Sequence, residues 1–332
     1  MKTMVFNVAA DKGGALTILN QYYNMAKVDV NDDWIFVVGL PMLEDTENIK
    51  VLRYPWIKKS WIHRLYFELF VARRIIERYS PDEILSLQNI MIKGTKVKQT
   101  VYVHQSLPFS EKKFGIIENP KFWIYQNIIG NLIKRSIKKA DRVVVQTEWM
   151  KIACMKATRT TESKFIVCFP KTDIRLKSRY VRNEGEITFF YPAGPYQYKN
   201  HTVIVRASEV LKLKGINGYK IIFTLSGNEN KYVRKLHDLV LEQNLPILFE
   251  GEMNLDKVYD YYGNTTLIFS SYIETIGLPL LEAKLHEAPI IVGDFEFSRE
   301  VLNDYSKAVF FDAFNPVELS TVLEKEINGT LY

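Results

Sequence analysis

Cysteine is nearly absent: Cys154 and Cys168 are the only two in 332 residues, and they stand in no metal-ligand or redox spacing. That excludes a disulfide framework and a cysteine-held metal cluster, and leaves two small core side chains in a reducing compartment as the simple reading. Long apolar runs are missing too, since no stretch approaches the ~18 to 20 residues that a membrane-spanning helix needs. The opening "MKTMVFNVAAD" meets acid too early for a secretory leader and reads as a first strand. No Gly-x-Gly-x-x-Gly follows a strand pattern, so a dinucleotide site has no fingerprint. His63, His104, His201, His237 and His286 include no pair at helical metal-binding spacing.

Acid is scarce in one half only. Residues 1–180 hold 30 lysines and arginines against 17 acidic residues, whereas residues 181–332 hold 14 against 21. The first half therefore suits an anionic partner or surface, and the second does not. What is present otherwise is the composition of a globular protein, 47% hydrophobic and 25% charged, long enough for two cores.

Short β-branched and aromatic runs alternate with longer amphipathic stretches. Strands are expected at 3–8, 34–38, 83–87, 100–103, 142–146 and 165–168, with helices at 15–26, 62–79, 121–139 and 148–156. "TDIRLKSRYVRNEG", 172–185, has no period and reads as a linker. The alternation then resumes, with strands at 187–191, 220–225, 247–250, 266–269, 289–292 and 308–311 and helices at 202–212, 230–242, 255–262, 278–285 and 316–326. The pattern implies an α/β chain of two doubly wound, Rossmann-like domains, 1–175 and 186–312, facing a cleft, with a terminal helix and tail at 313–332 that could pack back toward the first domain. Ligands of such sheets bind beyond the carboxyl ends of the strands.

One segment raises a chemical question. In "YIETIGLPLLEAKL", Glu274 and Glu282 bracket Gly277 and Pro279. Pro279 fits the first turn of a helix, where a missing N–H costs nothing. Glu274 then lies in the loop after a strand and Glu282 one turn into the helix. Gly277 permits close backbone approach, and the free N–H groups of the helix start favour an anion. Two carboxylates around such a start suit a nucleotide sugar. A plain helix start with a favourable first-turn acid explains the spacing as well.

"SSYIETIGLPLLEAKLHEAPIIVGD" resembles the E-x7-E motif of retaining glycosyltransferases with the GT-B fold, particularly family 4. The resemblance implies that Glu274 touches the donor sugar near the reacting carbon and Glu282 holds the nucleotide ribose, with Ile276, Gly277 and Leu278 alongside. "FYPAGPYQYKNH" is similar to the family's loop where a lysine reaches the donor diphosphate, which places Lys199 there; a solvated loop lysine is the plain alternative. The arginine usual a few residues earlier is replaced by Gly194-Pro195-Tyr196. "DKGGAL" matches a Gly-rich donor-side loop, implicating Gly13 and Gly14, although a tight turn explains both glycines equally well. "VYVHQSLPF" implicates His104 in hydrogen bonding to a sugar hydroxyl or the leaving phosphate, with a structural histidine as its competitor. "VVVQTEWMK" matches the last strand of the family's first domain, in position but without a role. "FTLSGNEN", with Gly227, and "ILFEGEM" match the loops that border the base.

By that resemblance the chain is expected to be a metal-independent retaining glycosyltransferase without a cofactor. It would move a sugar from a nucleotide-diphosphate donor to a hydroxyl of a glycan or lipid-diphosphate-linked acceptor, in bacterial surface polysaccharide synthesis on the cytoplasmic side. No Asp-x-Asp occurs, so a metal-carboxylate diphosphate clamp has no candidate. A non-catalytic nucleotide-sugar-binding partner of another transferase and a nucleotide-sugar epimerase of the same fold remain alternatives. The basic half suggests peripheral contact with anionic membrane: "WIKKSWIHRLYFELFVARRIIERY", 56–79, interleaves aromatics with lysine and arginine, and Lys134, Arg135, Lys138 and Lys139 form a second cluster. The plain reading is a core-packed helix with a solvated charged face. No recognised nucleic-acid module accompanies the charge.

Overall fold

A computed structural model describes residues 1–11, 13–29, 31–170 and 174–331. The chain divides into two compact units, Met1–Thr172 and Asp173–Tyr332.

Among its described residues the first unit is built on seven strands: β1 (Lys2–Asn7), β2 (Asp33–Val38), β3 (Ile49–Arg53), β4 (Glu83–Ser86), β5 (Lys98–Val103), β6 (Arg142–Val145) and β7 (Phe165–Val167). They lie in the order β3-β2-β1-β4-β5-β6-β7, all parallel. Continuous apolar runs such as Met4-Val5-Phe6 follow from covering both faces with helices. Helix α1 (Gly13–Val28) packs Ile18, Leu19 and Tyr23 with Val5, Phe36, Leu85, Tyr102 and Val144 on one face. The neighbouring side chains Met4, Phe6, Ile35 and Ile84 point the other way, and there they meet Phe67, Ala72, Ile75 and Ile76. These last belong to the π-helical turn Phe67–Val71 and to α3 (Ala72–Tyr79), which together continue α2 (Trp61–Tyr66). On the same face, Val101, Val103, Val143 and Val145 meet Ile133, Ile137, Met150 and Cys154. The latter come from α5 (Gly130–Lys139), which continues α4 (Pro120–Ile124) through the π-helical turn Tyr125–Ile129, and from α6 (Glu148–Thr158).

Two features depart from the sequence pattern. The spans 62–79 and 121–139 read as single helices, but each carries a π turn, which adds a residue and rotates the helical face. Strand β3 has no counterpart in the expected list, because only Ile49 of its five residues is fully buried and the apolar run that marks the inner strands is missing.

Among its described residues the second unit has six strands: β8 (Ile187–Tyr191), β9 (Tyr219–Phe223), β10 (Ile247–Phe249), β11 (Thr266–Phe269), β12 (Ile290–Gly293) and β13 (Ala308–Phe311). Their order is β10-β9-β8-β11-β12-β13, again all parallel. Helices α7 (His201–Leu213), α8 (Lys231–Glu242), α9 (Leu255–Tyr262), α10 (Leu278–Leu285), α11 (Glu296–Val301) and α12 (Pro316–Ile327) connect and cover them. The terminal helix α12 packs on α7 of this same unit. Its Glu326 is fully buried and accepts hydrogen bonds from Arg182 and Thr266, each at 3.0 Å.

The linker expected at 172–185 is, over its described residues, a strap fastened to the second unit. The Tyr180 N–H donates to the His286 carbonyl at 2.7 Å and the Val181 N–H to that of Gly263 at 2.9 Å. Lys177 pairs with Asp260 at 2.6 Å. A strap held by isolated bonds needs no repeating apolar pattern, which is why its sequence shows none.

Candidate functional site

In the second sheet the strand order reverses between β8 and β11, which are parallel neighbours with Leu267 opposite Phe190. Loops leaving adjacent strands at such a reversal diverge and open a crevice at the carboxyl edge. After β8 comes the tight turn Gln197–Lys199, and after β11 the loop 270–277. Ser270 and Ser271, both fully buried, stitch the two together. Ser270 donates to the carbonyls of Lys199 at 3.0 Å and Asn200 at 3.2 Å, and Ser271 to that of Tyr198 at 3.3 Å. The buried Tyr191 hydroxyl adds a 2.6 Å bond to the Lys199 carbonyl.

This stitching places the Lys199 ammonium in direct contact with the Glu274 carboxylate. Their side chains are 17% and 16% exposed, so the pair is only lightly screened by water yet open enough to meet a ligand. The ammonium also lies 5.9 Å from the Phe269 ring centroid and 5.5 Å from that of Tyr198. Where the family pattern has an arginine, Tyr196 stacks on Tyr198 with ring centroids 5.5 Å apart.

Helix α10 begins immediately afterwards, and Gly277 is the reason it can. Its φ is +77°, and a Cβ there would stand 3.2 Å from both Phe269 and Leu280. Pro279 sits in the first turn and no side chain caps the start. Ile276 is buried and Leu278 partly so. Glu282 follows on α10, where the buried Tyr262 hydroxyl donates to its Oε2 at 3.0 Å. Burial pushes the Glu282 carboxyl above its ordinary range, and the Tyr262 bond opposes that shift. Behind it, the His286 ring is fixed from both sides: Nε2 accepts from the Lys177 N–H at 3.3 Å, so Nδ1 carries the proton toward the Glu282 carbonyl at 2.7 Å.

The remaining sequence candidates fall elsewhere. Gly227 follows β9 with φ +91°, and a Cβ would stand 2.8 Å from the His237 ring, so backbone shape and packing both account for it. In the first unit Gly13 opens α1 with φ +62°, and a Cβ on either Gly13 or Gly14 would meet nothing within 4 Å. His104 follows β5. Its N–H donates to Asn89 Oδ1 at 2.8 Å, and its Nε2 lies 3.3 Å from Asn89 Nδ2. That amide donates to Nε2, which puts the proton on Nδ1, and among the described residues Nδ1 has no partner. Burial holds the ring neutral, with its pKa lowered to about 4.

Several residues to which the motifs assign no role shape these sites. Tyr262 and Asn89 orient Glu282 and His104, and Ser270 fixes Lys199. Gln88 follows β4 at 5% exposure, and among the described residues neither end of its amide is paired. An unpaired buried polar group is the one signal among these that points to a ligand. Among the described residues no three His, Cys, Asp or Glu converge as metal ligands, and no helix is long and apolar enough to cross a membrane.

Two doubly wound units of this topology make the architecture of GT-B glycosyltransferases, and residues 173–329 match the family model "Glycosyl transferases group 1". That match spans nearly all of the second unit. Among curated proteins the chain is similar to the O-antigen chain mannosyltransferase RfbU of Salmonella typhimurium, 21% identical over 242 residues. That match covers 72% of this chain and 64% of RfbU, so the chain spans somewhat less than two thirds of this relative. Among solved structures, sucrose-phosphate synthase from Thermosynechococcus elongatus superposes with TM-score 0.74 at 14% identity, covering 99% of this chain and 90% of that one. HepE of Anabaena, solved in complex with UDP and glucose, superposes with TM-score 0.67 at 14% identity, also covering 99% and 90%. These likenesses establish the fold.

Proposed function

We propose that this protein is a retaining, metal-independent glycosyltransferase that moves a sugar from a nucleotide-diphosphate donor to a hydroxyl of a glycan or lipid-diphosphate-linked acceptor. The observation that carries the reading is the contact between Lys199 and Glu274 at the strand-order reversal of a group 1 domain. One cation and one carboxylate held there can serve the two ends of the reacting bond. Lys199, with the amides that open α10, neutralises the diphosphate. Glu274 faces the sugar and Glu282 takes the ribose hydroxyls. His104 supplies a neutral N–H to an oxygen of the sugar or leaving phosphate, and Gly13 and Gly14 leave room for a ligand over α1. No protein nucleophile is required: the acceptor hydroxyl attacks on the face the phosphate leaves, and the leaving phosphate oxygen takes its proton. Catalysis then rests on positioning and on stabilising charge at that phosphate. The likeness to an O-antigen mannosyltransferase supports a place in cytoplasmic assembly of a bacterial surface polysaccharide.

Thermal-shift screening against nucleoside diphosphates and nucleotide sugars, with Glu282→Ala alongside, tests this directly. A ligand that binds only the folded state must raise its midpoint. One nucleotide sugar that stabilises wild type and not the variant, and then turns over with an acceptor extract, supports the reading. Binding with neither transfer nor slow donor hydrolysis supports instead a non-catalytic partner of another transferase, a role consistent with Gly194-Pro195-Tyr196 standing where the family pattern has an arginine. Scrambling of the donor sugar without acceptor indicates an epimerase.

A further inference from the structure

The helix between β3 and β4 has two apolar faces, and only one is used. Phe67, Ala72, Ile75 and Ile76 enter the core. Ile62, Leu65, Tyr66, Leu69 and Phe70 point outward at 60, 43, 50, 44 and 54% exposure, and Trp61 ahead of them is 74% exposed. Positions 62, 65, 66, 69 and 70 repeat at the i, i+3, i+4, i+7, i+8 spacing of a buried helical face, yet among the described residues they stay largely open to solvent. Core packing, the plain explanation of an apolar helix, does not apply to these side chains.

Charge and topology narrow what could cover them. Residues 56–79 hold six lysines and arginines and two acids, and both acids are neutralised internally: Glu68 by Arg64 at 2.9 Å and Glu77 by Arg73 at 2.7 Å. The helix between β5 and β6 repeats the theme. It exposes Ile124 and Ile128 at 42 and 54% beside Lys121, and the loop before it presents Ile117 at 96% exposure near Lys112 and Lys113. Both helices cover the same face of the sheet. Each exposed stretch is the first half of its crossover, so both lie toward the carboxyl edge. A second copy of this chain would bring like charge against like charge. A folded acidic partner would match the charge, but a laterally mobile anionic surface with an apolar interior matches both charge and stripe.

We infer that this face of the first unit rests on an anionic phospholipid bilayer, with Trp61, Leu65, Tyr66 and Phe70 in the headgroup–acyl boundary and the surrounding lysines and arginines on lipid phosphates. The inference stands apart from the sugar-transfer reading, because lipid binding is measured with no sugar present.

The test is flotation of the full chain with vesicles of phosphatidylcholine alone or with added phosphatidylglycerol, at low and high salt. Recovery with the anionic vesicles is expected to exceed that with the zwitterionic ones on the order of tenfold and to fall as salt rises. The variant Trp61→Ser/Leu65→Ser/Phe70→Ser is expected to drop to background at an unchanged thermal midpoint, while Leu213→Ser, at an 88% exposed leucine of the second unit, floats like wild type. Wild type that stays at the bottom with anionic vesicles overturns the inference whatever the variants do. So does a triple variant that floats unimpaired, equal flotation with both vesicle types, or a wild-type dimer by light scattering that the triple variant abolishes.

Discussion

Lys199 and Glu274 are 75 residues apart in the chain and bonded to each other, because the strands they follow are neighbours at the one place where the second sheet changes direction. Each holds the other in the crevice: the lysine would otherwise extend into water, and the glutamate would be a mostly buried charge without a counter-ion.

Replacing either member should therefore separate stability from function. Lys199→Met leaves Glu274 unpaired and should lower stability by about 1–3 kcal/mol in urea titrations. The double variant Lys199→Met/Glu274→Met should recover most of that loss. Glu274→Ala should stay folded and lose transfer by a factor of about 10² or more. Full turnover by Glu274→Ala would remove Glu274 from the reacting site.

Tyr262 makes no contact that a motif would single out, yet its hydroxyl holds Glu282. Because that bond draws the carboxyl pKa down against the effect of burial, Tyr262→Phe should raise it further. Donor binding that needs the ionised carboxylate should then weaken from the acid side, falling earlier in the variant than in wild type as pH drops and converging with it at high pH. The turnover rate at saturating donor should not move. A uniform loss at all pH values would point to a packing defect.

Two buried histidines set an acid limit on the fold. Burial lowers His104 to about 4 and His201 to about 3, the latter with help from the Lys199 charge. The unfolded chain binds protons on both rings near pH 6.5 while the folded one does not, so stability should fall as pH drops from 6.5 toward 3. Denaturant titrations between pH 7.5 and 4 should show this slope, flattened by His104→Gln and again by His201→Gln. An unchanged slope in both variants would assign it to carboxylates instead.

Glycines of unlike purpose should answer alanine differently. Gly277→Ala meets a left-handed φ and close contacts with Phe269 and Leu280, and should cost about 1–2 kcal/mol, or roughly 4 °C of melting temperature. Gly14→Ala meets open space on a helix and should keep or slightly raise the melting temperature. If it also weakens nucleotide-sugar binding, the open space over α1 is occupied by ligand.

The sequence carries the fold class and the helix α10, whose expected span 278–285 is the observed one. Gly277 and Pro279 are local signals, and local signals survive translation from string to structure. The contact of Lys199 with Glu274 is not local, since it depends on which strand lies beside β8, and periodicity within a strand says nothing about that. Tyr262, Asn89 and Gln88 act through position in space and look like ordinary residues in a row. Strand β3 escapes because an edge strand has little to bury. The exposed stripe at 61–70 is the converse case: its periodicity is plain, but only the structure shows which way it faces.

The buried Glu326 of α12 bears on how the second unit is born. Its carboxylate joins Arg182 from the strap and Thr266 from β11, so residues far apart in the chain meet at the helix that follows the whole sheet in sequence. A nascent chain that has emerged only as far as β13 holds a sheet with its apolar helix site uncovered and the Arg182 guanidinium without its acid. Such a chain can collapse but lacks the tie that closes the unit, and it is open to chaperone capture and proteolysis until α12 arrives. The first unit, upstream and separately cored, can be folded by then, so translation delivers a finished unit that tethers an unfinished one.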